Sequence, residues 1–157
     1  MNPTYVLVSA LGIGVVAGLR SMMAPAVAAW AAHLGWLHLQ GSSLAFMGSK
    51  AAVAILSLFA IGELIADKLP RTPRRTMIAP LLARALTGGL AGACLSLSAG
   101  QSLLVGAALG ATGGVIGAFA GYEIRKRLVT TLNIKDLFVA LAEDAVAIGL
   151  ALNLVSR

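Results

Sequence analysis

Residues 78–97 read IAPLLARALTGGLAGACLSL and residues 137–155 read LFVALAEDAVAIGLALNLV. Each is close to the roughly 20 residues that a helix needs to cross a bilayer. Each is apolar except for one small group of charges, Arg84 in the first and the adjacent pair Glu143 and Asp144 in the second. An ionisable side chain at the centre of a bilayer costs about 2.5–3.5 kcal/mol on insertion scales, so such groups turn inward, pair with one another and mark function. Reading both stretches as transmembrane helices therefore sets the fold and nominates a site in one step.

The rest of the chain supports that reading. Of its 157 residues, 59% are hydrophobic and 11% charged, with a mean hydropathy of +0.90. Soluble domains carry about 25% charged residues, so this chain is expected to be a single transmembrane domain over residues 1–157, with no room for a soluble catalytic domain. Further apolar runs lie at 5–19, 24–37, 50–66 and 103–122. The expected fold is all-α, a polytopic bundle of about six membrane segments. The separators are Arg20, Ser21 and Pro25, a Gly/Ser-rich linker at 38–48 without Lys, Arg, Asp or Glu, a polar loop at 67–75, an uncharged turn at 98–101, and a basic segment at 125–127 that leads into a polar stretch at 130–136. The first pair of segments is short, and two other arrangements stand beside six crossings: one long broken helix, giving five, or a re-entrant hairpin, giving four. Ala26, Ala28 and Ala29 resemble a leader cleavage site, but no Lys or Arg precedes the first run and Arg20 interrupts it, so the segment is expected to be retained.

The formal net charge is +6 and the pI about 10.3. The basic residues sit mainly in two short segments beside apolar spans, a placement that sets topology and touches anionic lipid rather than nucleic acid. Arg71, Arg74, Arg75, Arg125, Lys126 and Arg127 are the expected head-group contacts. Loops 67–77 and 123–136 are expected to be cytoplasmic, which with six crossings puts both termini outside. A short repeat agrees: Arg20-Ser21-Met22-Met23-Ala24-Pro25 matches Arg75-Thr76-Met77-Ile78-Ala79-Pro80, and Pro near a helix start costs nothing there. The lone Cys94 falls in an apolar span and reads as a small packing residue.

Glycine spacing carries the packing signal. Gly106, Gly110 and Gly114 recur every four residues, as do Gly113, Gly117 and Gly121, in a glycine-zipper pattern that gives one helix two neighbouring glycine faces; Gly14 with Gly18 and Gly88 with Gly92 repeat it. In lipid, such residues let helix backbones approach closely. Packing inside a tight bundle and a homo-oligomer interface both use the pattern.

The polar constellation comprises Arg20, Glu63, Asp67, Arg84, Glu143 and Asp144. Glu63 and Asp67 are four apart and share a helix face. Glu143 and Asp144 point about 100° apart, so one is expected on Arg84 and the other on a cavity or on Arg20. The same charges read either as a structural ion-pair network or as a pocket for an ion, a proton or an anionic head group. At the Gly18-Leu19-Arg20-Ser21 junction, a helix beginning at Met22 or Met23 would offer free N–H groups, Ser21 as its cap and the Arg20 guanidinium to an anion. A turn anchored by a snorkelling Arg20 is the alternative. No metal or cofactor is expected. His33 and His38 lack partners at ligand spacing; the Gly-rich stretch at 110–117 has no preceding strand and no following Lys-Ser/Thr; Glu143-Asp144 lacks the one-face spacing of the Asp-rich magnesium motifs of membrane transferases.

Four segments together carry a family resemblance: Gly18-Leu19-Arg20-Ser21 with Pro25, Leu82-Ala83-Arg84-Ala85-Leu86-Thr87-Gly88-Gly89, Gly121-Tyr122 with Arg125 and Arg127, and Ala140-Leu141-Ala142-Glu143-Asp144-Ala145-Val146-Ala147-Ile148-Gly149. They resemble a bacterial family of small integral membrane proteins known as domain of unknown function 4126. The resemblance spans nearly the whole chain, is made specific by Arg20, Arg84, Glu143 and Asp144, and implies a multi-spanning protein of the bacterial inner membrane. The expected function is a small transporter or channel-like protein with its site at Arg20, Ser21, Glu63, Asp67, Arg84, Glu143 and Asp144. A scaffold or assembly protein with structural charges is the second reading, and a membrane-embedded enzyme acting on a lipid phosphate the third.

Overall fold

The computed structural model describes residues 2–67, 76–131 and 135–156. The basic residues Arg71, Arg74 and Arg75, and with them part of the short repeat, lie outside the described residues. Among the described residues the chain is all-helical, with six α-helices: α1 (Pro3–Leu19), α2 (Met23–His33), α3 (Lys50–Ala66), α4 (Ile78–Ser98), α5 (Leu103–Thr130) and α6 (Asp136–Val155), plus one 3-10 turn at Ala45–Gly48. Three of them, α4, α5 and α6, are long and apolar enough to cross a membrane, and α1 is a shorter apolar helix.

Local chemistry sets the ends. Asn2 caps α1 by accepting the Thr4 N–H at 3.0 Å, with Pro3 in the first turn, where its missing N–H costs nothing. Ser49 caps α3 by accepting the Ala52 N–H at 3.1 Å. α2 stops at His33, and Gly35 then takes a φ of 79°, open only to glycine without strain. The second segment therefore ends four residues before the expected 37. At about 16 Å, α2 is short of a bilayer's hydrocarbon core, and irregular chain completes its path with Leu37, Leu39 and Met47 buried. Non-helical backbone is tolerated at that depth where protein covers it. α5 runs through Thr130, eight residues past the expected 122, because Arg125, Lys126 and Arg127 are good helix formers once clear of lipid.

The helices alternate in direction. Gly14 and Gly18 meet Gly110 and Gly114, so α1 and α5 run parallel; Gly88 and Gly92 meet Gly110 and Gly106, so α4 opposes them. Gly12 touches Leu154 while Arg20 reaches Asp144, which makes α6 antiparallel to α1. The chain after α2 returns to the level of Val6 and Ser9, so α1 and α2 form a hairpin with its corner at Arg20–Met22. They are not one long helix with a break. One end of the bundle thus carries that corner, the end of α3 and the start of α4; the far end carries the 34–49 linker, the turn after Ser98 and the end of α6.

Both glycine faces of α5 are used inside the bundle. Gly106, Gly110 and Gly114 lie against α4 at Gly92, Gly88 and Arg84, while Gly113 and Gly117 lie against α1 at Leu11 and Val15. A methyl group added at Gly18 would stand 2.5 Å from Ala118 N and from Gly114 O. The Ala-rich α2 is the most enclosed helix, buried from Met23 through Ala29. α3 is the opposite. Only Val53 and Ala60 of it are buried, and Ile55, Leu58, Phe59, Ile61 and Ile65 face outward. Gly121 is buried and lines a groove between α5 and α6.

Candidate functional site

The hairpin corner creates an electrostatic problem. There the C-terminus of α1 leaves carbonyls without partners, and the N-terminus of α2 leaves N–H groups without partners, side by side. The dipole ends call for a cation at the first and an anion at the second. The chain supplies both from other helices. Arg84 of α4 donates from Nε to the Gly18 carbonyl at 2.9 Å. Glu63 of α3 accepts the N–H of Ser21 on Oε1 and the N–H of Met22 on Oε2, each at 2.7 Å. Arg84 Nη2 then lies 3.9 Å from Glu63 Oε1, so the two caps also pair with each other.

Arg20, at the end of α1, is fully buried. Its Nε and Nη2 both lie 2.5 Å from Asp144 Oδ1, Nη1 pairs with Asp67, and Nη2 also reaches the Ala140 carbonyl at 3.5 Å. Glu143 Oε2 stands off at 3.9 Å and is shared with Arg125 Nη1 at 3.6 Å. Adjacent residues on a helix diverge by about 100°, which is why Asp144 meets Arg20 squarely and Glu143 only grazes it. Arg125 also pairs with Asp67 at 3.5 Å and, through two 2.8 Å hydrogen bonds, with Asp136.

The expected constellation therefore gathers at one end, with a different pairing. Both acids of α6 converge on Arg20, and the ion pair that Arg84 makes among the described residues is with Glu63. Ser21 is not the cap of α2. Met22 occupies that position, and the Ser21 hydroxyl lies 3.4 Å from that of Thr87. Two members were missed in the sequence. Thr87, one turn after Arg84, donates to the Ala83 carbonyl at 2.9 Å, and a hydroxyl one turn from an intramembrane arginine was the signal. Arg125, expected at the head groups, joins the cluster because α5 continues past the expected end of the fifth span.

The cluster also lies nearer one end than the sequence suggested. Arg84 is six residues into α4 and Asp144 eight into α6, about 9 and 12 Å from the helix starts. Beyond it, towards the far end, Ile13, Ala17, Ala24, Ala28, Ala91, Ala147 and Ala151 are all fully buried and fill the bundle. Two openings flank the cluster. One, of about 270 Å³, is lined by Ser21, Met22, Glu63, Pro80, Ala83 and Arg84. The other, of about 220 Å³, is an apolar groove between α5 and α6 with Arg125 and Glu143 in its wall. Among the described residues no three side chains gather as a metal site.

Fold and site together define a small helical membrane protein in which arginines and carboxylates from five helices meet at one end of a glycine-packed bundle. The family model described as Domain of unknown function (DUF4126) matches residues 7–156, and the chain belongs to that family. No curated protein and no solved structure matches the chain.

Proposed function

We propose that the chain is a small transporter or channel-like protein of the bacterial inner membrane, which passes a small anion, with or without a proton, through the arginine and carboxylate cluster. One observation carries this reading. The Glu63 carboxylate sits in an anion seat made of two backbone N–H groups and the Arg84 guanidinium, beside an open groove. Helix N-termini inside membrane proteins serve as substrate sites in the same way. Glu63 arrives on the lightly packed α3, so it is a displaceable occupant. A free anion takes the seat when Glu63 leaves, and protonation of Glu63 couples the exchange to a proton. The ion pairs of Arg20 then close this end of the bundle while the far end is open. The basic segments, Lys126 and Arg127 among them, face the cytoplasm and its anionic lipid, and the protein performs no covalent chemistry.

The test is flux of chloride, phosphate and acetate, with pH recorded, in proteoliposomes. Wild-type protein passes at least one of these above empty liposomes, Arg84→Gln abolishes the flux, and Glu63→Gln removes its dependence on a pH gradient. Flux no greater than that of empty liposomes for all three anions and for protons sinks the proposal. The second reading, a non-transporting scaffold held by these charges, is favoured by the complete burial of Arg20. It is distinguished by stability loss in the same variants without any wild-type flux.

A further inference from the structure

At the far end, opposite the charge cluster, a cavity of about 230 Å³ is enclosed by the start of α1, the chain after α2 and the last turns of α4 and α6. Val6, Trp36 and Leu154 give it apolar walls; Ser9, His38 and Ser98 give it polar ones. Ser9 is 1% exposed, and its hydroxyl has no hydrogen-bond partner. A buried hydroxyl without a partner is uncommon and calls for an explanation. A serine within an apolar helix usually bonds back to a carbonyl one turn earlier, and Ser9 does not. Ser98 Oγ accepts the His38 N–H at 2.8 Å, which leaves its own hydrogen to give.

We propose that this cavity binds a small amphipathic molecule, an alcohol or amine head on a compact apolar body. The size fits, since a dry cavity of about 150 Å³ already accepts benzene, and here a ring with a one- or two-atom head has room. The polarity fits as well. The C-terminal ends of α4 and α6 border the space, and helix C-termini favour donors and cations over anions. Among the described residues no Asp or Glu lines it, so the head is held by neutral oxygens. Ser9 accepts a hydrogen bond from the ligand's head, Ser98 gives one to its lone pair where it is an alcohol, and Trp36 packs against its body. None of the residues that line it belongs to the charge cluster at the other end.

The test uses the full chain in lipid nanodiscs with Trp30→Phe, so that Trp36 is the indole reporting from the wall. Benzyl alcohol and benzylamine are titrated, with toluene and benzoate as controls. At least one of the first two changes Trp36 emission saturably; toluene and benzoate bind about fivefold more weakly or worse, the loss expected of one hydrogen bond. Ser9→Ala costs the same factor without lowering thermal stability, since it removes an unsatisfied hydroxyl, and Ser9→Leu fills the space and abolishes saturation. Saturation by the alcohol alone assigns a neutral head and by the amine alone a charged one. Emission changes that do not saturate, toluene binding as tightly as benzyl alcohol, or Ser9→Ala binding like wild type each overturn the proposal.

Discussion

Removing the Arg20 guanidinium is expected to be the most damaging single change in this protein, and Asp144 is where the damage should be repairable. Arg20 is fully buried, and two of its nitrogens stand 2.5 Å from one oxygen of Asp144. With charge centres about 4 Å apart, the attraction is about 4 kcal/mol at the effective dielectric that reproduces protein data. Breaking a buried pair by deleting one partner typically costs about 3–5 kcal/mol, because the other charge is stranded. Arg20→Met should therefore lose about 3–5 kcal/mol, stranding Asp144 and weakening the hold on Asp67. Asp144→Leu should lose somewhat less, since Arg20 keeps Asp67 and its longer contact with Glu143. The double variant should be more stable than the sum of the two losses by about 2–3 kcal/mol, as expected for groups in one network. Unfolding in mixed micelles, followed by helical circular dichroism, measures all four corners of the cycle. Losses that add to within about 0.5 kcal/mol would refute the pairing, because side chains that do not interact are additive.

Two further outcomes follow from the packing and the alternating helix directions. A methyl at Gly110 would overlap the Gly88 carbonyl, whereas one at Gly62 meets nothing within 4 Å. Gly110→Ala should cost about 1–3 kcal/mol and Gly62→Ala should gain about 0.5–1 kcal/mol, and equal melting temperatures for the two variants would contradict the glycine contacts. In a Cys94→Ala background, cysteines at Ser42 and Gln101 should react with an impermeant maleimide from one side of the membrane and a cysteine at Lys126 from the other. Labelling of all three from one side would overturn the order of the ends.

Much of the architecture was legible because hydropathy and helix length are local properties. Residues 50–66 matched α3 at both ends, and 78–97 missed α4 by one residue. The errors came where tertiary cover replaces local preference. α2 gives up its helix after His33 because its neighbours shelter irregular backbone, and Met47 is completely buried in a linker that reads as Gly/Ser-rich. Apart from Arg125, the charged members of the cluster were legible, since each is an ionisable group in or beside an apolar run. Their partners were not. Which carboxylate meets which arginine depends on helix rotation and adjacency, and nothing in the spacing of residues 63 and 84 shows that α3 and α4 both reach the corner between α1 and α2. The residues of that corner allow two readings, an anion site and a turn anchored by Arg20, and that Glu63 of the same chain accepts its N–H groups required the fold.

Under the anion passage proposed above, Glu63 means that the protein carries its own competitor. A carboxylate fixed to the same molecule acts at an effective concentration in the millimolar range or above, set by its tether and not by what is added. A free anion must outcompete it, so its apparent affinity is lowered by the fraction of molecules in which the seat is filled. Micromolar ligand screens on the wild-type protein would then return blanks for the true substrate. The form to screen is Glu63→Gln, in which the competitor has lost its charge.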